Sequence, residues 1–173
     1  LREAGTPVVA IVPDQPTSAR ARFVGINNLA AGRTAAQLLG RFAAKPDATV
    51  MVLAGSMMAR DQMERRLGFD EVMLRDFPGM TVLPSLEGRD DSQVVARILP
   101  AALEAHPQID ALYAPGAGHR GLLSVLRTLR RPRRLTVVAH ELTPATRAGL
   151  EEGLIDAVIT QDVGHVARSA LRV

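Results

Sequence analysis

The stretch "RFVGINNLAAGRTAAQLLGRF", residues 22–42, contains the unit from which the fold can be predicted. Its first part is apolar and β-branched, which favours a strand, and a helix of small residues begins directly after two asparagines. Asn28 can be a plain N-cap that accepts a backbone N–H of the first turn. Alternatively, Asn27 and Asn28 lie where a strand ends, and their amides can point into a ligand crevice. The stretch alone leaves both interpretations open.

The same strand-then-helix unit recurs along the chain. Strands are predicted at 7–12, 23–26, 49–54, 81–83, 109–114, 135–139 and 157–160, and helices at 29–43, 61–76, 92–105, 119–130, 144–152 and from 164. Most of the strands are continuous apolar runs, as expected for strands that are covered on both faces. The alternation predicts an α/β fold with a doubly wound, mainly parallel sheet and helices on both faces.

Composition bounds the classes of function. The 173 residues are 47% hydrophobic and 23% charged, as in ordinary globular proteins. No apolar run approaches the ~20 residues of a membrane span, so no membrane partner is predicted. The chain has no cysteine, which excludes disulfides and thiolate metal sites. The basic run at 130–134 is broken by Pro132, and one Tyr and no Trp offer little base stacking, so a solvated loop is favoured over a nucleic-acid surface.

The residues that follow the predicted strands are the candidates for a site, because ligands bind at the carboxyl ends of parallel strands. These positions are rich in amide, carboxylate and guanidinium groups. Ser56 lies in no nucleophile elbow, and the histidines at 106, 119, 140 and 165 lack the spacing of metal ligands. The sequence therefore predicts a binding protein without catalytic residues, cofactor or metal.

One motif supports a less favoured alternative, a nucleotide-dependent enzyme. Gly116, Gly118 and Gly121 form a G-x-G-x-x-G pattern after a strand, and Glu141 follows about 20 residues later. Such a pattern can bring a pyrophosphate close to the backbone and an acid to a ribose. A tight turn beside a ligand crevice explains the glycines equally well.

Three stretches together resemble the lactose-repressor (LacI/GalR) regulators and the related periplasmic sugar-binding proteins, which share the type I periplasmic-binding fold. They are "FVGINNLAAGRTAAQLL" at 23–39, "ERRLGFDEVM" at 64–73 and "LTVVAHELTPATRAGLEEGLIDAVITQD" at 135–162. The first is similar to the family's strand, polar pair and helix, and the second to its R-x-x-G-F/W segment. The resemblance covers essentially all 173 residues.

The resemblance implies four site residues. Asn28 would face a sugar, and Arg65 would be the ligand arginine, whose planar fork can donate to two hydroxyls. Glu141 stands where sugar binders have an acid that accepts from hydroxyls, and Gln161 stands at a hinge amide that reaches the ligand. We expect Arg65→Ala to abolish the response to the effector and to leave folding nearly intact.

The chain also departs from the family pattern. Pro115 and Gly116 replace the usual Asn-Asp pair after the corresponding strand, so a major hydroxyl-binding carboxylate is missing. His119 or Arg120 could substitute for it, and we take His119 as the fifth candidate ligand residue. Asn27 stands in place of the usual Asp.

The resemblance further predicts the organisation of the chain and its partners. Residues 1–27 would be the tail of an N-terminal lobe, 28–160 the C-terminal lobe, and 161–173 the return crossover. The favoured function is the effector domain of a cytoplasmic LacI-type regulator. It would bind a sugar or polyol between two lobes, form a homodimer and reach operator DNA through a headpiece outside these residues. The alternative is a periplasmic sugar-binding protein of an ABC transporter.

Overall fold

A computed structural model describes residues 5–12, 14, 18, 20–132 and 134–173. The strands are β1 Val9–Ile11, β2 Arg22–Val24, β3 Thr49–Ala54, β4 Thr81–Val82, β5 Leu86–Glu87, β6 Ile109–Ala114, β7 Thr136–His140 and β8 Ala157–Ile159. The helices are α1 Asn28–Phe42, α2 Arg60–Asp76, α3 Ser92–Ala105, α4 His119–Thr128, α5 Pro144–Glu151 and α6 Val163–Ala170.

The strands form two parallel sheets. β1 pairs with β2 in a small sheet, and the large sheet has the order β4-β3-β6-β7-β8. β4 pairs with the start of β3 and β5 with its end, so the two short strands together form one interrupted edge. The predicted doubly wound α/β fold is confirmed, while β5, with two residues, was not predicted. The order reverses between β3 and β6, and a crevice opens at such a switch point.

Helices cover both faces of the large sheet. Successive residues of β3 point to opposite faces, Val50 and Val52 into one buried cluster and Met51 and Leu53 into the other. The first cluster contains residues of α1 and α2, and the second contains residues of α3 and α4. This two-sided burial is the reason why the strands read as continuous apolar runs.

α1 and α2 touch through two glycines. A methyl group on Gly32 would lie 2.0 Å from the Arg65 carbonyl oxygen, and one on Gly68 would lie 2.1 Å from that of Leu29. Only glycine permits this approach of two backbones. Gly32 therefore packs against α2, whereas Ala36 lies in the core cluster of the sheet. The approach brings the start of α1 beside Arg65.

The caps of the helices explain why two asparagines stand before α1. Asn27 is the N-cap, and its Oδ1 accepts from the Ala30 N–H at 2.9 Å. The interpretation of Asn28 as the cap is therefore wrong, because Asn28 is the first residue of the helix and its side chain is available for another contact. Asp91 caps α3 and Thr143 caps α5, each through its side chain.

The small sheet and α6 lie together. α6 contacts both β1 and β2, and the chain passes to the large sheet between Val24 and Asn28. It returns between Ile159 and Val163. The predicted boundaries at 27/28 and 160/161 fall in these two crossings, and the assignment of the segments to two lobes stays a prediction.

Candidate functional site

The carboxyl edge of the large sheet is tightly packed at the switch point. A methyl group on Gly116 would lie 2.4 Å from the Gly55 nitrogen, so the loops after β3 and β6 are in backbone contact. The Asp90 carboxylate fills the space above them and accepts from the Ala117 N–H at 2.6 Å. These contacts fix the loops from which the site side chains project.

Arg65 stands at the centre of a polar network. Its side chain is buried, at 4% exposure, and its Nε donates to Asn28 Oδ1 at 2.9 Å. Its Nη1 donates to the Pro115 carbonyl oxygen at 2.7 Å, and its Nη2 lies 3.7 Å from Glu141 Oε1. The guanidinium thus joins α1, the loop after β6 and the loop after β7. We call these residues and Gln161 the Arg65 network.

Glu141 and Gln161 complete the Arg65 network. Gln161 Nε2 donates to Glu141 Oε1 at 3.0 Å, while Gln161 Oε1 is buried without a partner among the described residues. Glu141 is one-third exposed, at 32%, and has a φ of +65°. That left-handed conformation is unfavourable for a non-glycine residue and is concentrated at functional sites. The pair therefore keeps free acceptor oxygens at the carboxyl edge.

A neutral polar layer lies beneath Arg65. His140 is 1% exposed, and its Nε2 is 2.9 Å from the Tyr113 hydroxyl, whose ring stacks on Phe69 at 4.5 Å. Burial lowers the pKa of His140 to about 3, helped by the positive charge of Arg65. Burial raises the pKa of Tyr113. Both groups are therefore neutral at neutral pH.

His119 occupies a different part of the edge. It is the first residue of α4 and 7% exposed, and its Nε2 has no partner in the described part of the chain. It lines a groove of about 360 Å³, which we call the His119 groove, together with Asp90, Ser92, Ala117, Gly118, Arg120, Thr143, Pro144 and Ala145. Burial lowers the pKa of His119, while the Asp90 carboxylate opposes that shift.

The five predicted site residues therefore fall into two groups. Asn28, Arg65, Glu141 and Gln161 are joined by hydrogen bonds and an ion pair. No hydrogen bond or ion pair links His119 to them in the described ranges. Sequence reasoning missed Tyr113, which lies within an apolar run, and considered His140 only as a histidine without the spacing of a metal ligand.

The glycine pattern has a packing explanation. Gly118 has a φ of +89° and precedes α4, and a methyl group on Gly121 would lie 2.0 Å from the Ser92 carbonyl oxygen. Gly121 thus allows α4 to approach the start of α3. Glu141, the acid of the pattern, contacts Gln161 and Arg65. The motif needs no nucleotide to account for it.

The basic run lies at the opposite, amino end of the sheet. Arg131 donates to the Pro107 carbonyl oxygen, and Arg134 donates to the Gly153 carbonyl oxygen at 2.8 Å and to Asp156. The arginine at position 133 lies outside the described residues. Arg131 and Arg134 thus bind neighbouring turns of the same chain, in agreement with a surface loop.

The described residues contain neither a metal-binding cluster nor a membrane-spanning helix. No group of three His, Asp or Glu side chains in them could hold a metal ion. No helix in the same ranges is long and apolar enough to cross a membrane.

The carboxyl edge of the parallel sheet thus carries a buried arginine beside an unpartnered amide oxygen of Gln161 in the described part of the chain. The whole chain, residues 1–173, matches the family described as periplasmic binding protein domain, and it belongs to that family. The predicted resemblance to the periplasmic-binding fold is confirmed. The comparisons do not show membership in the LacI/GalR regulators.

Several solved structures are similar to the chain. One is GanP, a glucose-galactose binding protein from Geobacillus stearothermophilus, with 28% identity and a TM-score of 0.88 over 99% of this chain and 61% of that one. Another is a sugar ABC transporter sugar-binding protein from Bacillus halodurans, with 27% identity and a TM-score of 0.80 over 91% and 54%.

A third similar structure is AraP, an arabinose binding protein from Geobacillus stearothermophilus. It shows 26% identity and a TM-score of 0.78 over 91% of this chain and 53% of that one. The chain thus spans about three fifths or less of the length of these structures. No curated protein matches the chain.

Proposed function

We propose that the chain forms most of one lobe of a sugar-binding protein of an ABC transport system. The sugar would bind at the carboxyl edge through Arg65, Glu141 and Gln161, with Asn28 holding the arginine. The observation that carries the proposal is the set of partners that the Arg65 guanidinium contacts. Two of its donors are used by Asn28 and Pro115, and its Nη2 is directed toward Glu141.

This arrangement suits a hydroxyl group. Each hydroxyl both donates and accepts, so a sugar site needs donors and acceptors side by side. Nη2 of Arg65 can donate to a sugar oxygen, and the Glu141 carboxylate can accept from the same hydroxyl or its neighbour. The unpartnered Oε1 of Gln161 is a further acceptor. None of these roles requires a nucleophile or a metal.

In a two-lobed binding protein, a sugar bound at this site would change the equilibrium between the open and closed arrangements of the lobes. A sugar that contacts both lobes binds the closed arrangement better than the open one, and it shifts their equilibrium by that difference in affinity. The similar structures are longer than this chain, so a second lobe would supply the remaining contacts.

The similar structures named above favour the transporter alternative over the regulator that the sequence analysis preferred. The homodimer, the operator DNA and the cytoplasmic location belong to the regulator interpretation and stay predictions of it. The arginine run gives that interpretation no support, because Arg131 and Arg134 are engaged with neighbouring turns.

The proposal is tested by titrating the full-length protein with galactose, glucose, arabinose and NAD, and following the melting temperature. At least one sugar should raise the Tm, and the rise should grow with sugar concentration, as linkage requires of a true ligand. NAD should leave the Tm unchanged. A rise with NAD and none with any sugar would contradict the proposal, and sugar-dependent binding of operator DNA would favour the regulator.

A further inference from the structure

We propose that the His119 groove is a second sugar subsite, so that the ligand is an oligosaccharide of at least two residues. The inference rests on the proposed function, since the first residue of the oligosaccharide would occupy the Arg65 network. The groove has a volume of about 360 Å³, and it adjoins that network at Thr143, whose N–H donates to the Glu141 carbonyl oxygen at 3.0 Å.

The unpartnered histidine nitrogen is the first observation. His119 is more than nine-tenths buried and lines the groove, and its Nε2 has no hydrogen-bond partner among the described residues. Buried polar atoms in folded proteins almost always have a partner. A ligand group that enters the groove would supply the missing partner.

The start of α4 is the second observation. Gly118 stands at its N-cap and offers no side-chain acceptor, whereas Asp91 and Thr143 cap the neighbouring helices α3 and α5. The first N–H groups of a helix have no acceptor within it. The N–H groups of His119 and Arg120 therefore stay available as donors beside the groove.

The charges of the groove favour a neutral ligand. Asp90 contributes a carboxylate, one oxygen of which accepts from Ala117, and Arg120 contributes a guanidinium. His119 is neutral, because its burial lowers its pKa. The opposite formal charges of Asp90 and Arg120 offset each other, so the groove has no net formal charge from these two side chains. Hydroxyl groups suit donors and acceptors that stand side by side.

The two subsites are carried by the same two loops. In the loop after β6, Pro115 accepts from Arg65, and Ala117 lines the groove. In the loop after β7, Glu141 belongs to the Arg65 network, and Thr143 lines the groove. Two residues of backbone span at most about 7 Å. A sugar residue linked to the first would thus reach the groove.

The test is calorimetric titration of the full-length protein with monosaccharides and with disaccharides built from them. The pairs are glucose with maltose and cellobiose, and galactose with galactobiose, and glucuronate serves as an anionic probe. At least one disaccharide should bind ten times more tightly than its monosaccharide. His119→Ala should reduce that ratio below three.

Two further variants keep the test independent of folding. Arg120→Gln changes an exposed side chain of the groove and should also reduce the ratio, while His106→Ala, an exposed histidine at the amino end, should not. Equal affinities for monosaccharide and disaccharide would overturn the second subsite and leave the proposed function intact. Tighter binding of glucuronate than of glucose that depends on His119 would also overturn it. Failure of every sugar to bind would overturn both proposals.

Discussion

The two ends of the large sheet use similar side chains in different ways. At the amino end, Asp110 accepts from the Thr49 N–H at 3.0 Å and pairs with Lys45 at 3.0 Å. Asp156 accepts from the Val137 N–H at 2.8 Å and pairs with Arg134. Each of these carboxylates is satisfied by a backbone group and a cation of the same chain.

The carboxyl end keeps unused hydrogen-bonding capacity. Four buried side-chain atoms have no partner in the described residues, and three of them, on His119, His140 and Gln161, are at this end. The fourth is Nη1 of Arg131 at the amino end, whose Nη2 donates to Pro107. Satisfied charges hold the sheet together, whereas unsatisfied polar atoms at a crevice are available to a ligand.

The largest effect is expected where the Arg65 network is broken. Arg65→Ala removes the donor to the sugar, and we expect the affinity for the sugar to fall about 100-fold, or ~2.7 kcal/mol. Arg66→Ala is the matched control. The adjacent Arg66 contacts Asp70 and Ser85 on another side of α2, and its loss should leave affinity within twofold. Calorimetric titration of both variants checks this, and similar losses in the two would contradict it.

Arg65→Ala should also affect folding, contrary to the expectation from sequence. The side chain is buried, and its removal leaves the acceptors of Asn28 and Pro115 without their donor. An unpaired buried acceptor costs about 1–3 kcal/mol. Urea unfolding measures this cost, and Arg65→Lys, which retains the charge, provides a milder test of binding.

His140 should make stability depend on pH. Its folded pKa of about 3 lies below the ordinary 6.5, so the unfolded chain takes up a proton first as the pH falls. The contribution of neutral His140 to the free energy of unfolding is complete above pH 6.5 and is lost progressively as the pH falls toward 3. Between pH 7 and pH 5 this amounts to about 2 kcal/mol. Urea unfolding at the two pH values should show that the free energy of unfolding falls by about 2 kcal/mol less in His140→Gln than in the wild type. An equal fall in the wild type and the variant would contradict this prediction.

A substitution at the amino end should affect stability alone. Asp156→Asn removes the charge that pairs with Arg134 and keeps an oxygen for the Val137 N–H. We expect a loss of about 1 kcal/mol in the free energy of unfolding, because the pair is partly exposed. Sugar affinity should be unchanged. A weakened affinity would show that the two ends of the sheet do not have separate roles.

The smallest effect is expected in the arginine run. Arg130 is exposed, and its contacts with backbone oxygens are 3.5 Å long. Arg130→Ala should change the free energy of unfolding by less than about 0.5 kcal/mol and leave sugar affinity unchanged. Thermal unfolding and sugar titration check both expectations. A change in Tm of more than a few degrees would indicate a contact that the structure does not contain.

The sequence predicted the fold because its signals are local. Continuous apolar runs and capped helices can be recognised without knowledge of their neighbours. β5 was missed because its two residues, Leu86 and Glu87, form no apolar run. The cap of α1 was assigned to the wrong asparagine, since Asn27 and Asn28 have the same chemistry and only backbone geometry separates them.

The site was predicted only in part. Asn28, Arg65, Glu141 and Gln161 were identified through the resemblance to a family, and the structure brings them together. The contact of Tyr113 with His140 depends on the pairing of β6 with β7, which no local pattern encodes. The same holds for the His119 groove, which is formed by three loops distant in sequence.

The most direct test of the account is hydrogen–deuterium exchange of the full-length protein with and without the sugar that raises its Tm most. The account predicts that sugar slows exchange in residues 115–120, 140–146 and around Gln161, at the carboxyl end of the sheet. Exchange at the amino end, in residues 104–110 and 130–135, should stay the same. Slowing confined to the amino end, or to the outer surface of α2, would contradict the placement of the sugar beside Arg65.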